Sequence, residues 1–130
     1  MHILLVDQDD GVRALFSHVF SHYGYRVTAT CDPNEALEVA RNESPSIIFS
    51  SIIFPFTTGF EFCKKLREIP GTKDSLIVAL TGYSDDDIKT KTLNAGFDEY
   101  LLKPVSIFTV LSVLGKSTEK DNFDFEYRDI

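Results

Sequence analysis

The sequence contains no tryptophan, a single methionine and only two cysteines, Cys31 and Cys63. Two cysteines do not form a disulfide framework, and these two do not have the spacing of metal ligands. The sequence therefore predicts two reduced thiols, as is usual in a cytoplasmic protein.

Basic residues and long apolar runs are also scarce. The chain has 13 lysines and arginines against 20 aspartates and glutamates, a net charge of -7, whereas a nucleic-acid partner requires a cationic surface. No apolar run approaches the roughly 20 residues of a membrane-spanning helix. The first residues, MHILLVDQDD, become acidic too early for a secretory signal. We therefore expect a cytoplasmic protein with neither nucleic acid nor membrane among its partners.

What the chain does contain is a regular alternation of strand-like and helix-like segments, within a length of 130 residues that suits one domain. Short apolar runs predict strands, and apolar residues spaced three and four apart predict helices. The predicted strands cover residues 2–6, 25–30, 47–51, 75–80 and 98–102, and the predicted helices cover residues 12–23, 33–42, 58–68, 84–96 and 106–114. The alternation implies right-handed crossovers and a parallel sheet with helices on both faces.

Sheets of this kind bind ligands at the carboxyl ends of their strands, so the residues just after each strand form the candidate site. They are the stretch Asp7 to Asp10, the hydroxyls of Ser50 and Ser51, the pair Thr81–Gly82 and the pair Lys103–Pro104. Carboxylates beside a lysine suit a hard divalent cation held together with an anionic group. The first loop, DQDDG, would repel phosphate rather than cradle it, so a cofactor of the flavodoxin type is not expected.

Four segments, in this order, resemble the receiver domain of bacterial two-component response regulators: ILLVDQDD, the loop with Pro55 and Gly59, LTGYSDDD and AGFDEYLLKPV. The resemblance covers Met1 to Leu114. It implies an α/β fold of the flavodoxin-like (βα)5 type, a doubly wound parallel five-stranded sheet with strand order 2-1-3-4-5. Receivers usually hold Mg²⁺ with an acidic pair after the first strand and an aspartate at the end of the third strand. That aspartate accepts a phosphoryl group from a histidine kinase.

The resemblance fails at the residues on which phosphotransfer depends. Thr81 and Lys103 match the hydroxyl and the lysine that bind the phosphoryl oxygens in receivers, and Asp7 matches the first acid of the pair. Gln8 stands where the second acid is expected, and Ser51 stands where the phosphoacceptor aspartate belongs. The resemblance therefore implies a pseudo-receiver, in which these five residues form a degenerate phosphorylation pocket and none of them is catalytic.

Mg²⁺ binding in this pocket is expected to be weak or absent, and no other cofactor is expected. An amide and a hydroxyl in place of two carboxylates remove two negative charges from a site for a hard dication. Asp7 together with Asp9 remains a weak possibility for a metal site. We expect Lys103 to reach Asp7 as an internal counter-charge.

Ser51 is expected to be a structural hydroxyl rather than a nucleophile. A serine hydroxyl is protonated near neutral pH and needs a general base, and His2 lies at the opposite end of the first strand. We expect Asp7 to hydrogen-bond Ser51 or water. Two alternatives stay open: an active but unusual phospho-receiver, using another acid such as Asp9 or modified at Ser51 by a Ser/Thr kinase, and, more remotely, an enzyme with Ser51 as nucleophile. The sequence favours a phosphorylation-independent signalling module that acts through protein–protein interaction and is not an enzyme.

Two other patterns have simple structural explanations. His18 and His22 are four residues apart on a predicted helix and could bind zinc, but no third ligand is evident. The acidic run Asp85–Asp87 could be a docking patch, but it suits the first turn of a helix capped by Ser84.

The last predicted helix carries the candidate partner surface. Between Val105 and Gly115 it has no charged residue, and four apolar residues suffice to pack it on the sheet: Ile107, Val110, Leu111 and Leu114. Phe108 and Val113 are then left on the outer side. Receivers commonly pair through the face built from helix 4, strand 5 and helix 5, and Tyr100 matches the aromatic residue of that strand whose packing changes with the activation state. We expect a protein partner or a homodimer at this face, unless the tail covers it.

The chain divides into a receiver-like domain, residues 1–115, and a C-terminal tail, residues 116–130. In the tail, Phe123, Phe125 and Tyr127 alternate with charged residues at the period of an extended strand. This segment could dock on the last helix or add to a sheet edge, in this chain or in a partner, and a disordered end is the alternative. The tail leaves no room for an attached output domain, so we expect any output to come from a partner.

Overall fold

The computed structural model of the protein describes residues 1–117. Five parallel strands form one sheet, flanked by five helices, in the order β1 (His2–Val6), α1 (Asp10–His22), β2 (Arg26–Thr30), α2 (Pro33–Glu43), β3 (Ile47–Ser51), α3 (Gly59–Glu68), β4 (Leu76–Thr81), α4 (Asp86–Asn94), β5 (Glu99–Leu102) and α5 (Ile107–Ser117). The strand order is β2-β1-β3-β4-β5, so the predicted doubly wound, flavodoxin-like (βα)5 fold is confirmed. Within the part of the chain that the structure describes, no helix combines the length and the apolar composition needed to cross a membrane.

The central strands β1 and β3 are buried along their whole length because helices cover both faces of the sheet. Side chains alternate between the two faces, so Ile3 and Leu5 join the core under α1 and α5, whereas Leu4 and Val6 join the core on the opposite face. All neighbouring strands pair in parallel. The ends of the strands therefore meet at one border of the sheet, here named the carboxyl edge, and their starts meet at the amino edge.

Two helix starts show how local sequence sets the helix boundaries. Asp32 caps α2 by accepting a hydrogen bond from the backbone N–H of Asn34 at 2.9 Å, and Pro33 opens the helix, as predicted. The predicted Ser84 cap of α4 is wrong, because Asp85 takes that role and accepts from the N–H of Ile88 at 2.9 Å. Asp86 and Asp87 nevertheless form the acidic first turn of the helix, as predicted.

Helix α5 corrects one prediction about the partner surface. Val113 was expected on the outer side, but it is only 3% exposed and packs in the core together with Val110 and Leu114. These residues are spaced three and four apart and form the centre of the buried face of the helix. The buried face is therefore rotated from the one predicted from the sequence. Phe108 is 83% exposed, as expected. The helix also continues past its predicted end to Ser117, because one glycine weakens a helix by only about 1 kcal/mol and does not stop it.

Arg67 of α3 ties several segments together at the amino edge. Its guanidinium donates hydrogen bonds to the carbonyl oxygens of Gly96, Lys73 and Ser75 at 2.7 to 3.0 Å. It also pairs with the Asp98 carboxylate at 2.8 Å, and the same carboxylate accepts from the backbone N–H of Ile77 in β4 at 2.9 Å. One side chain thus fixes α3, β4 and the turn before β5 at the end of the sheet opposite the candidate site.

The predicted tail falls largely outside the described residues. Its aromatic segment, with Phe123, Phe125 and Tyr127, lies beyond residue 117, as does most of the span 116–130. The predictions that this segment docks on the domain or is disordered therefore stay predictions.

Candidate functional site

The structure brings the predicted acid, hydroxyls and lysine to the same edge of the sheet. Asp7 directly follows β1, Ser51 and Thr81 are the last residues of β3 and β4, and Lys103 directly follows β5. Strand register makes these positions neighbours, since Ser51 pairs with Leu80 and the backbone N–H of Lys103 donates to the Thr81 carbonyl at 2.7 Å. The candidate pocket is thus assembled by parallel pairing alone.

Asp7 is a buried carboxylate that is neutralised by Lys103. Its side chain is 2% exposed, and its Oδ2 lies 2.8 Å from Lys103 Nζ, as predicted. The contact is an ion pair rather than an aligned hydrogen bond. The other oxygen, Oδ1, accepts from the backbone N–H of Asp9 at 2.9 Å. A buried charge needs such a partner, because desolvation without one is costly.

Gln8 and Asp9 are both engaged in contacts within the protein. The Gln8 side-chain amide donates to the backbone carbonyl of Cys31 at 2.8 Å, which joins the loop after β1 to the loop after β2. Asp9 caps α1, and its carboxylate accepts from the N–H of Val12 at 3.1 Å. Gln8 therefore holds the loop after β1 in place, and Asp9 holds the start of α1 in place.

The hydroxyls of the pocket bond to nearby backbone. Ser51 is nearly buried, and its Oγ lies 3.3 Å from both the N–H and the carbonyl oxygen of Ile53. Of the two partners expected for Asp7, Ser51 or water, Ser51 is not a partner: its hydroxyl lies against Ile53, and the Asp7 carboxylate lies against Lys103. Among residues 1–117, neither a carboxylate nor an imidazole hydrogen-bonds Ser51. Thr81 is also buried, and its Oγ1 accepts from the N–H of Tyr83 at 3.0 Å.

The donor set of this pocket does not fit a hard dication. Mg²⁺ requires octahedral oxygen coordination and is usually held by one or two carboxylates together with several waters. Here the Asp7 carboxylate is paired with a lysine, the Asp9 carboxylate caps a helix, and Gln8 and Ser51 are neutral. Over the described range, no three side chains of His, Cys, Asp or Glu come close enough to share a metal ion.

The residues predicted for the partner surface are only partly on the surface. Phe108 is exposed at the start of α5, whereas Val113 is buried. Tyr100 is half-buried on β5, and its hydroxyl is covered and has no hydrogen-bond partner among the described residues. Sequence reasoning missed Ile53 and Phe56, which are exposed in the loop after β3. The signal was an apolar run, IIFPF, that continues past the end of its strand into a loop with proline.

Comparison with known proteins agrees with this architecture. The family model described as response regulator receiver domain matches residues 3–114. An uncharacterized 14.6 kDa protein of Leptolyngbya boryana is 34% identical over 105 residues, 81% of this chain and 80% of that protein. The structure of the chemotaxis protein CheY4 of Vibrio cholerae superimposes with a TM-score of 0.84 at 31% identity, over 89% of this chain and 97% of that one.

Longer regulators match this chain over less than half of their own length. The response regulator MprA of Mycobacterium tuberculosis is 34% identical over 113 residues, which are 86% of this chain but 48% of that protein. The transcriptional regulatory protein AfsQ1 of Streptomyces coelicolor is 30% identical, with 44% of its length covered. The chain therefore spans about half the length of these relatives. From the match over residues 3–114, together with the fold, the chain belongs to the response regulator receiver domain family.

Proposed function

We propose that this receiver domain takes no part in phosphoryl transfer and acts as a cytoplasmic signalling module through contacts with other proteins. The observation that carries the proposal is the state of the pocket. Ser51 ends β3 with its hydroxyl against the backbone of Ile53, and Asp7 is neutralised by Lys103.

The chemistry of Ser51 supports the proposal. A carboxylate can attack a phosphoramidate directly, whereas a hydroxyl must first lose its proton to a base. The Asp7 carboxylate would be the nearest candidate for that base, but it is paired with Lys103 Nζ at 2.8 Å. The near-burial of Ser51 also argues against modification by a kinase, because the hydroxyl would have to leave its turn to enter another active site.

The charge of the pocket supports it as well. One carboxylate and one ammonium leave the pair Asp7–Lys103 with no net charge, and Gln8 and Ser51 add none. The Asp9 carboxylate is negative, but it is engaged as the cap of α1. A dication has little to attract it there, and phosphotransfer in this family usually depends on one.

The test is phosphorylation of the full-length chain by acetyl phosphate with Mg²⁺, followed by intact mass. We expect no mass gain for the natural sequence. The matched control is the double variant Gln8→Asp/Ser51→Asp, which restores both carboxylates and should gain one phosphoryl group.

Two outcomes would contradict the proposal. A mass gain in the natural sequence that disappears in Ser51→Ala would identify Ser51 as an acceptor. A mass gain that survives in Ser51→Ala would identify another acceptor, with Asp9 the first to examine.

The surface proposed for the partner is the face formed by α4, β5 and α5. Each of these elements exposes a large apolar side chain, namely Leu93, Leu102 and Phe108. Exposed apolar groups on neighbouring elements are typical of protein contact sites. A second copy of the chain or another protein would cover them.

A further inference from the structure

A cavity of about 560 Å³ lies at the carboxyl edge, between the loops that follow β1, β2 and β3 and the helices α2 and α3. We propose that this cavity binds a small aromatic acid, a molecule with a flat apolar body and one anionic group. Its volume is within the range of small-molecule sites in proteins. Ligand binding in this cavity does not require the domain to accept a phosphoryl group.

The position of the cavity favours a ligand. In an open α/β sheet, ligands bind beyond the carboxyl ends of the strands, where the strand order reverses. In this sheet the reversal falls between β1 and β3, since β2 lies on one side of β1 and β3 to β5 lie on the other. Gln8 after β1 and Phe54 to Thr57 after β3 both line the cavity, so it lies over that point.

The wall of the cavity is suited to an aromatic ring. Its lining includes three buried apolar side chains, Leu37, Phe54 and Phe62, and the last two rings meet edge to face with centroids 6.2 Å apart. Phe56, in the same lining, is 99% exposed. A flat apolar molecule placed against Phe56 would remove this ring from water, which is favourable in proportion to the buried area.

The charge of the lining is suited to an anion. Lys65 lines the cavity. The ion pairs formed among residues 1–117 do not include its ammonium group. Asp32 also lines the cavity, but its carboxylate caps α2, where the helix dipole offsets its charge. The Gln8 amide is held by the Cys31 carbonyl. Lys65 is therefore the unmatched charge, and an anionic group complements it.

A pair of fluorescent probes tests both halves of the proposal on the full-length chain. Anilinonaphthalene sulfonate carries flat rings and one anionic group, and phenylnaphthylamine carries the same rings without the charge. We expect saturable binding of both probes, with one molecule per chain.

Variants then separate the contribution of charge from that of the apolar wall. Lys65→Gln should weaken binding of the sulfonate probe about fivefold, as for the loss of one partly exposed charge pair. It should leave the affinity for the neutral probe unchanged. Lys64→Gln is the matched control: it makes the same charge change on the same helix, but Lys64 lies outside the lining and is 3.7 Å from Glu61. It should change neither affinity. Phe56→Ala should weaken both probes.

Alkylation of Cys31 gives a second readout that reports position. Cys31 is exposed and lines the cavity, whereas Cys63 is buried and its burial raises its thiol pKa to about 11. Iodoacetamide should therefore modify Cys31 alone, and a saturating concentration of the sulfonate probe should slow that reaction. The reaction is followed by intact mass.

Three results would overturn the proposal. The first is an absence of saturable binding or of Cys31 protection. The second is an equal loss of affinity in Lys64→Gln and Lys65→Gln. The third is binding that appears only when the aromatic residues of the tail are replaced, in Phe123→Ser/Phe125→Ser/Tyr127→Ser, because the cavity would then be reserved for the chain's own tail.

Discussion

At the scale of single residues, His2 shows how a buried side chain couples folding to pH. The ring is largely buried at the start of β1, and its Nε2 lies 2.8 Å from Thr28 Oγ1, while Nδ1 has no hydrogen-bond partner in the described part of the chain. Burial lowers the pKa of His2 below its usual 6.5, and the Arg26 guanidinium lowers it further, against a smaller opposing effect of Glu43.

We predict that the free energy of unfolding falls as the solution is acidified below pH 6.5. The unfolded chain binds a proton on His2 near its ordinary pKa of 6.5, and the folded chain resists doing so until a lower pH. The stabilisation is therefore complete above 6.5 and is lost as pH falls toward the folded-state pKa. Urea denaturation at about pH 7.5 and about pH 5.5 measures the difference. His2→Gln, which keeps a group able to contact Thr28 but does not titrate, should reduce the difference, and an unchanged difference would contradict the prediction.

The residues of the site differ in how far sequence could predict them. The Asp7–Lys103 contact followed from charge, since a lone lysine and a buried acid at one edge of a sheet must meet. The hydrogen bond from the Gln8 amide to the Cys31 carbonyl could not be predicted from charge. An amide has no charge to indicate its partner, and every residue has a backbone carbonyl that could accept. The Ser51 hydroxyl contacts the backbone of Ile53, two residues further along the chain. Its sequence pattern does not indicate such a local backbone partner.

At the scale of elements, the sequence predicted the existence and order of all ten strands and helices, but helix ends and helix rotation less well. Asp32–Pro33 is an unambiguous start, whereas Ser84 and Asp85 are adjacent residues of which either can cap a helix. Helix α5 has apolar residues on most of its circumference, so its sequence does not fix which face is buried. Packing against the sheet and α1 determines which face of the helix is buried, and Val113 lies on that face.

The cap of α4 gives a prediction at this scale. Asp85→Ala should lower the free energy of unfolding by about 1 kcal/mol, because the N–H of Ile88 loses its acceptor at the start of the helix. Ser84→Ala should change it by less than about 0.5 kcal/mol. Chemical denaturation of the two variants measures both, and a larger loss in Ser84→Ala would show that the cap is misassigned.

At the scale of the whole molecule, the two most exposed aromatic side chains, Phe56 and Phe108, lie in two separate regions of the surface. One is the α4–β5–α5 face with Leu102 and Phe108, and the other is the β3–α3 loop with Ile53 and Phe56. The absence of charge in the last helix predicted the first region, whereas the second region was not predicted from the sequence. The cavity beside Phe56 arises where three loops distant in sequence converge, and a pattern read along the chain does not contain that convergence.

Self-association provides a test of the α4–β5–α5 face. If a second copy covers this face, Phe108→Ser should raise the dissociation constant of the dimer at least about tenfold, as for an exposed aromatic residue at the centre of a contact. Phe56→Ser is the control, since it removes an even more exposed ring from the other region. Light scattering on the full-length chain over a range of concentrations measures both. An equal effect of the two substitutions would contradict the assignment, and a chain that stays monomeric to about millimolar concentration would exclude self-pairing and leave another protein as the partner.

The Asp7–Lys103 pair has one further consequence for the protein in solution. The stabilisation that a dissociable metal ion gives to a folded chain depends on the concentration of free metal, so it changes with supply, dilution and chelation. Lys103 is joined to Asp7 by the chain itself, which fixes its local concentration whatever the solution contains. Because the carboxylate is buried, dissolved salt also screens the pair weakly. The carboxyl edge therefore carries a permanent counter-ion, which neither a chelator nor a change of buffer can remove.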